Sequence, residues 1–375
     1  MKLRPAVKRF RVQRGFTQEE LARLLGLSRQ SLNSIENGAS VPSTTIALQL
    51  ARSLGCTVED LFEVAGGGDT FPAALAKPMR STRTVATPRV VVGSINGRWV
   101  AHRLDPRQRP RDLTVAADAV VTSTRGAEAR LRPLLDPHRL AENLLIAGCD
   151  PALGLLADRA ERNMPGARNV WLEATSGAAL AALERSEIHI AGAHLFDEAS
   201  GEYNVPFVRR GFPGQPTVVV TVAQIEEGLA VARGNPRHVR KVEHLARKGV
   251  RFINREETAG ARKLLDRLLA ADGIRGRDID GYQRIAPGHL EAADAVATGA
   301  ADAAMVTCSA ALALGLDFVP LSSERFDLVL PKPLLRDHRV GRLLETLSSE
   351  EFRRELTSIG GYATQKAGSI AAELQ

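Results

Sequence analysis

Arg29, Gln30, Ser31, Asn33 and Ser34 fall within one short stretch, RQSLNS, and each carries groups able to read the edge of a base pair. Arg pairs bidentately with guanine and Gln with adenine in the major groove, and short hydroxyl or amide side chains fit beside them. Leu32 and Ile35 are the apolar residues of the same run. Helical spacing turns them inward and leaves the polar set outward. Ser28 stands where a helix N-cap belongs, and Asn37-Gly38 closes the segment. Gln18, just upstream, is placed to hold a backbone phosphate.

Such a polar face is useful only if other elements hold it rigidly. Thr17 and Glu20 have capping-box spacing, and Leu21, Leu24 and Leu25 line the inner face of the helix they start. Gly26 breaks that helix at a tight turn. Ser43 caps a further helix, STTIALQLARSL, and LRPAVKRFRVQ before the motif and TVEDLF after it predict a five-helix bundle over residues 1–65. The bland alternative is a helical bundle whose polar face meets only water. The ordered series TQ-x-x-LA-x-x-x-G-x-S-x-x-x-x-x-x-x-E-x-G closely resembles the Cro/repressor-type (XRE) helix-turn-helix family. That resemblance implies a double-stranded DNA operator as partner, read by a homodimer.

With 375 residues, the chain is far longer than this module requires. The net charge of +7 and pI near 9.6 suit a polyanion partner. The excess of Lys and Arg ends near residue 140, so the C-terminal part is not read as a nucleic-acid surface. AGGGDTFPAALAKPMRST, residues 65–82, has the composition of a linker, placed at residues 66–84. Residues 89–125 alternate apolar and polar around an NG turn and predict a small β-rich connecting unit over residues 85–139. From residue 140 to 375, short apolar strands alternate with helices, ending in one helix, VGRLLETLSSEEFRREL. The predicted fold class is multidomain: an all-α helix-turn-helix bundle followed by two α/β lobes with a cleft between them.

The run GCDPALGLL, TSGAALAAL, IHIAGAHLFD, GEYNVPFV, GLAVARGNP, VRFINR, GHLEAADAVATGAADAAM and LDFVPLSSERFDLV resembles the periplasmic-binding-protein-like domain, similar to molybdate-type solute receptors. The resemblance implies a two-lobed type II receptor fold that closes on a small-molecule effector. Loops leading from strand to helix put backbone N–H groups at such a cleft. They nominate Cys149 and Asp150, Thr175 and Ser176, and the segment holding Arg255, Thr258 and Arg262, with His289 from the GHL motif. The third loop departs from the family's NRQ-x-GSGTR: Thr258, Ala259 and Ala261 stand where the family has Gly, Ser and Thr, so two hydroxyl donors are missing. Asp150 would also repel a bare oxyanion. Plainer roles stay open for each residue: caps for Asp150, Thr175 and Ser176, ion pairs for Arg255 and Arg262, and a buried small side chain for Cys149.

Cys56, Cys149 and Cys308 have no metal-ligand spacing, so reduced thiols and no metal are expected. No H-E-x-x-H, G-x-S-x-G or phosphate loop is present, which argues against an enzyme and against a bound cofactor. No signal peptide or membrane span is read, and a cytoplasmic location is expected. The sequence therefore points to a ligand-responsive DNA-binding regulator. A molybdate or tungstate sensor, a ligand-free oligomerisation scaffold and an enzyme of molybdenum-cofactor metabolism tethered to DNA are the alternatives.

Overall fold

The computed structural model describes residues 2–65, 70–79, 87–106, 109–162 and 168–375. Contacts divide the chain into two compact units, Met1–Thr70 and Phe71–Gln375. Among the described residues no helix is long and apolar enough to cross a membrane.

The first unit holds β1 (Lys2–Pro5), α1 (Val7–Gln13), α2 (Gln18–Leu24), α3 (Arg29–Glu36), α4 (Thr44–Leu54), α5 (Val58–Leu61) and β2 (Phe62–Ala65). Its five helices lie close to their expected places, but LRP is not helical. Pro5 disfavours the helical conformation at the residue before it, and Lys2–Pro5 instead pairs antiparallel with Phe62–Ala65. Thr17 and Glu20 form the capping box, and Ser28 and Ser43 each accept a backbone N–H at a helix start. Leu21, Leu32, Leu50 and Leu54 are fully buried in one cluster. Each contributes about 1.5–3 kcal/mol of transfer free energy.

In the second unit, β3 (Phe71–Leu75), β4 (Arg89–Ile95), β5 (Arg98–Arg103), β6 (Ala119–Arg125) and β7 (Glu128–Pro133) form a closed barrel in the order β3-β5-β4-β6-β7. This corrects the linker reading: Phe71–Leu75 is a strand, pairing with β5 and β7 and thereby closing the barrel. Of the rest of the 66–84 linker, residues 66–69 and 80–84 lie outside the described residues. The barrel also shares a core with the α/β part of the chain, because Val91, Ile95, Val100 and Leu104 cluster with Leu145, Leu172 and Leu180.

The chain continues through α6 (Pro137–Ala141), β8 (Asn143–Gly148), α7 (Ala152–Arg162), β9 (Arg168–Glu173), α8 (Ser176–Glu184), β10 (Ile190–Ala193), β11 (Phe196–Asp197), β12 (Glu202–Tyr203), α9 (Val205–Gly211) and β13 (Thr217–Val231). Then come β14 (Phe252–Ile253), α10 (Gly260–Ala271), α11 (Gly288–Ala297), β15 (Ala303–Thr307), α12 (Cys308–Ala313), β16 (Asp317–Pro331), α13 (His338–Ser348), α14 (Glu350–Ile359), β17 (Tyr362–Ala363) and β18 (Ile370–Leu374). The single C-terminal helix expected from the sequence is two. Ser349 adopts an extended conformation and its hydroxyl caps α14 by accepting Phe352 N–H.

Sheet order is β14-β15-β13-β16-β10-β8-β9, with β17 and β18 also pairing with β13. Strands β13 and β16, each 15 residues, pair antiparallel along their length. At about 3.3 Å per residue such strands reach about 50 Å, enough to run through two lobes. One lobe is built on β8, β9 and β10, the other on β14 and β15, each with its own apolar clusters. The register of β13 shifts at Thr221/Ala223 and at Glu227/Gly228.

Candidate functional site

The helix-turn-helix face is held by a buried ion pair that the sequence reading missed. Arg11 on α1 binds Glu36 at the end of α3, Nε to Oε1 2.6 Å, and donates to the Phe16 carbonyl at 2.8 Å. Gln18 donates to the same Glu36 at 2.8 Å and to Asn33 Oδ1 at 3.3 Å. Gln18 therefore locks α2 to α3 in this structure instead of pointing a free amide at solvent. Ser28 spends its hydroxyl on Ser31, and Asn37 donates to Asn33 at 3.1 Å. Arg29, Gln30, Ser31, Asn33 and Asn37 are exposed and Ser34 is half-buried, while Leu32 and Ile35 are buried behind them. A charged residue such as Glu36 at an inward helical position was the available signal for the pair.

The second constellation lies at the waist between the lobes. Cys149 and Asp150 follow β8, His194 follows β10, Ser176 begins α8, and Glu227 and Glu324 sit on the two long strands; all are buried. Cys149 Sγ is 3.1 Å from His194 Nε2, and His194 Nδ1 is 2.9 Å from Glu324 Oε2 and 3.5 Å from Glu227 Oε1. His289, at the start of α11 in the other lobe, has Nε2 3.8 Å from Glu227 Oε1. The His194 backbone N–H donates to Ser176 Oγ at 3.2 Å. Asp150 Oδ1 accepts from Ala152 N–H and from the Tyr362 hydroxyl, at 2.8 and 2.7 Å. Its Oδ2, both oxygens of Glu227 and Nη1 of Arg255 have no hydrogen-bond partner among the described residues.

Charge in this interior is strongly perturbed. Burial pushes the carboxyls of Asp150 and Glu227 up, and Glu324 adds to the effect at Glu227 against the opposing pull of His194 and Arg255. At His194 burial opposes protonation, yet Cys149, Glu227 and Glu324 together outweigh it and the imidazole pKa rises well above its ordinary value. His289 goes the other way, held neutral by burial and by the positive Arg255 and His194.

The nominated ligand residues separate into three groups. Cys149, Asp150, Ser176, Arg255 and His289 surround or border this cluster. Thr175 and Thr258 meet across the lobes at its rim, Oγ1 to Oγ1 2.7 Å, and Thr258 is exposed. Arg262 turns away to Asp266 at 2.9 Å and stacks over Tyr282 at 4.2 Å. Gly260 explains how closely the lobes approach: a Cβ there would lie 2.5 Å from both Cε1 and the carbonyl oxygen of His194. A cavity of about 210 Å³ opens beside Cys149 and His289, bordered by Arg111, Trp171, Glu173 and Glu291. A larger one, about 290 Å³, lies on the barrel by Met79 and His102, apart from these groups.

His194, Glu227, Glu324 and Tyr362 escaped the sequence reading. The expectation of no metal ligands rested on linear spacing, whereas folding gathers Cys149, His194 and His289, and His194, Glu227 and Glu324, into groups with donor atoms within 4.8 Å of one another. Two acidic residues inside the apolar run VVVTVAQIEEGLAV were a legible signal, since a buried carboxylate requires a partner.

A family model described as a PBP superfamily domain matches residues 157–348, and a helix-turn-helix model matches residues 7–61. The chain is 32% identical over 239 residues to protein YvgK of Bacillus subtilis (strain 168), covering 62% of this chain and 74% of that one. It is 41% identical over 56 residues to the HTH-type transcriptional regulator MJ0272 of Methanocaldococcus jannaschii, covering 15% of this chain and 85% of that one. Among solved structures, an ABC-type phosphate transport receptor from Vibrio cholerae aligns with 59% of this chain and 99% of its own, at TM-score 0.40 and 14% identity. An N-terminal helix-turn-helix domain and a two-lobed α/β domain thus occur in one polypeptide, and the chain belongs to the periplasmic-binding-protein (PBP) superfamily.

Proposed function

We propose that this chain is a DNA-binding transcriptional regulator whose two-lobed domain takes a small ligand at its waist and thereby changes operator binding. The observation that carries the reading is the buried polar cluster between the lobes, where carboxylate and guanidinium atoms lack hydrogen-bond partners among the described residues. Buried polar groups are costly unless satisfied, and a ligand seated there would satisfy them. A ligand that prefers the closed lobes shifts the population toward closure, and only that difference in affinity can be transmitted to DNA. Arg29 and Gln30 read bases, with Ser28, Ser31, Asn33, Ser34 and Asn37 around them, and two copies of the chain present paired recognition helices to a two-fold operator. A tetrahedral oxyanion such as molybdate would meet Asp150, Glu227 and Glu324 in this waist beside Arg255 and His194, so it fits only where those carboxyls are protonated or paired.

The test is to select operator fragments from genomic DNA with the full chain, then measure their affinity by fluorescence anisotropy. The measurement is repeated with molybdate, tungstate, sulfate, phosphate, organic acids, pterins and divalent metals. Thermal melts run on the same panel, since any ligand that prefers the folded cleft raises stability. One compound that both raises the melting temperature and changes operator affinity is the expected result. Selection of no sequence, or a full panel that moves neither quantity, refutes the proposal.

A further inference from the structure

At the waist, His194 Nε2 faces Cys149 Sγ at 3.1 Å, while Nδ1 faces two carboxylates, Glu324 at 2.9 Å and Glu227 at 3.5 Å. In the tautomer whose Nε2–H is directed to sulfur, the lone pair of Nδ1 points at two carboxyl groups. Something positive must stand between them, either a proton or a metal ion. The Glu324 distance suits a protonated imidazole as well, but the spacing also fits an ion: two donors each about 2.1 Å from one metal, and about 90–110° apart, lie about 3.0–3.4 Å from each other. The two separations bracket that range, and all three donor atoms lie within 4.8 Å of one another.

Glu227 is the second observation. It is fully buried, and neither of its oxygens has a hydrogen-bond partner among the described residues. It also shares the interior with Glu324 and Asp150. Arg255, the nearby fixed cation, is paired with Glu256 at 3.0 Å. We infer that the waist is a site for a first-row divalent transition metal, bound through His194 Nδ1, Glu227 and Glu324. Mixed nitrogen and oxygen donors suit the Mn²⁺ to Zn²⁺ series better than a soft monovalent ion.

The surrounding groups complete the arrangement. The Thr307 backbone N–H donates to His289 Nδ1 at 3.2 Å, so His289 carries its proton on Nε2, the atom directed at Glu227. That N–H faces Glu227 from 3.8 Å, short of a hydrogen bond, so the carboxylate keeps both oxygens for a ligand. The cavity with Glu173 and Glu291 at its border reaches Cys149 and His289, the two residues that flank the cluster. Because His194 comes with one lobe and Glu227 and Glu324 lie on strands common to both, while His289 comes with the other lobe and Gly260 of α10 packs on His194, occupancy would tie the lobes together. The inference rests on the ligand-binding reading of this cleft and names its ligand class.

The experiment uses the full chain, stripped with a chelator and titrated calorimetrically with Zn²⁺ and Mn²⁺, with Co²⁺ absorption as a second readout. One equivalent per chain and visible ligand-field bands are expected. Glu227→Gln and Glu324→Gln should each weaken binding at least 10–100-fold, with circular dichroism showing both variants folded. His338→Gln, an exposed site remote from the cluster, should bind as the parent does. If the parent binds none of these ions, or both Gln variants bind with parental affinity, the metal assignment is overturned and a proton on His194 occupies the place. The same samples are tested on operator DNA. An effect of another ligand without metal binding leaves the regulator reading standing, whereas metal binding without any effect on DNA leaves the site standing and removes the regulation.

Discussion

Two buried histidines clasp the barrel to the first lobe, and acid should loosen them. His189 accepts the Leu145 backbone N–H at Nδ1, 2.9 Å, and donates from Nε2 to the Ser94 carbonyl, 3.0 Å, so it is held as one neutral tautomer. His102 donates from Nε2 to the Glu187 carbonyl at 2.6 Å. Burial pushes each pKa down to about 4. In the unfolded chain both titrate near the ordinary value of about 6.5, so between about pH 6.5 and 4 the unfolded state binds protons that the folded state refuses. Their stabilisation is complete above that window and is lost as pH falls through it. Between pH 7.5 and 5.5 the loss is about 1.3 kcal/mol per histidine, and the full 2.5-unit depression corresponds to about 3.4 kcal/mol each.

The two tryptophans give a direct assay. Trp99 lies on β5 and Trp171 on β9, one on each side of the clasp, and the helix-turn-helix unit has none. Urea unfolding followed by tryptophan fluorescence at pH 7.5 and 5.5 should show a stability loss that His102→Gln and His189→Gln each reduce by about 1.3 kcal/mol. If both variants lose as much stability on acidification as the parent, the clasp is not what titrates.

Three further outcomes are expected from the same structure. Glu36→Ala leaves Arg11 buried without its anion and should destabilise the helix-turn-helix unit by about 3–5 kcal/mol, read as lost helical signal in a thermal melt; an unchanged melt contradicts the ion pair's role. Gly260→Ala forces a methyl against His194 and should cost about 1–3 kcal/mol in the fluorescence-detected transition, while a neutral result would mean the lobes approach less closely than described. Arg29→Ala and Gln30→Ala should each lower discrimination between operator variants by about 1–3 kcal/mol, and unchanged discrimination in both removes them from base contact.

Local chemistry was readable because it acts over a few residues. The Thr17 capping box, the Ser28 and Ser43 caps, the Gly26 turn with φ +66°, and the outward face of α3 all arise from spacing within one or two helical turns. The alternation of strands and helices beyond residue 140 was equally legible, since each β–α unit repeats the same local pattern. Where an edge needed a distant partner, the sequence was silent. Phe71–Leu75 reads as linker until β5 and β7 flank it, and Leu3–Pro5 reads as helix until β2 pairs with it.

The waist was decided by tertiary structure alone. Cys149, His194, Glu227, His289 and Glu324 are separated by tens of residues, and no spacing rule relates them. They meet because β13 and β16 run antiparallel through both lobes and carry Glu227 and Glu324 to the level where β8 and β10 end. What the sequence determined by itself was which short segments cap, turn and expose polar atoms, because those preferences belong to neighbouring residues. Which carboxylates share one dry interior was set by strand register, where a shift of a single residue turns a side chain to the opposite face.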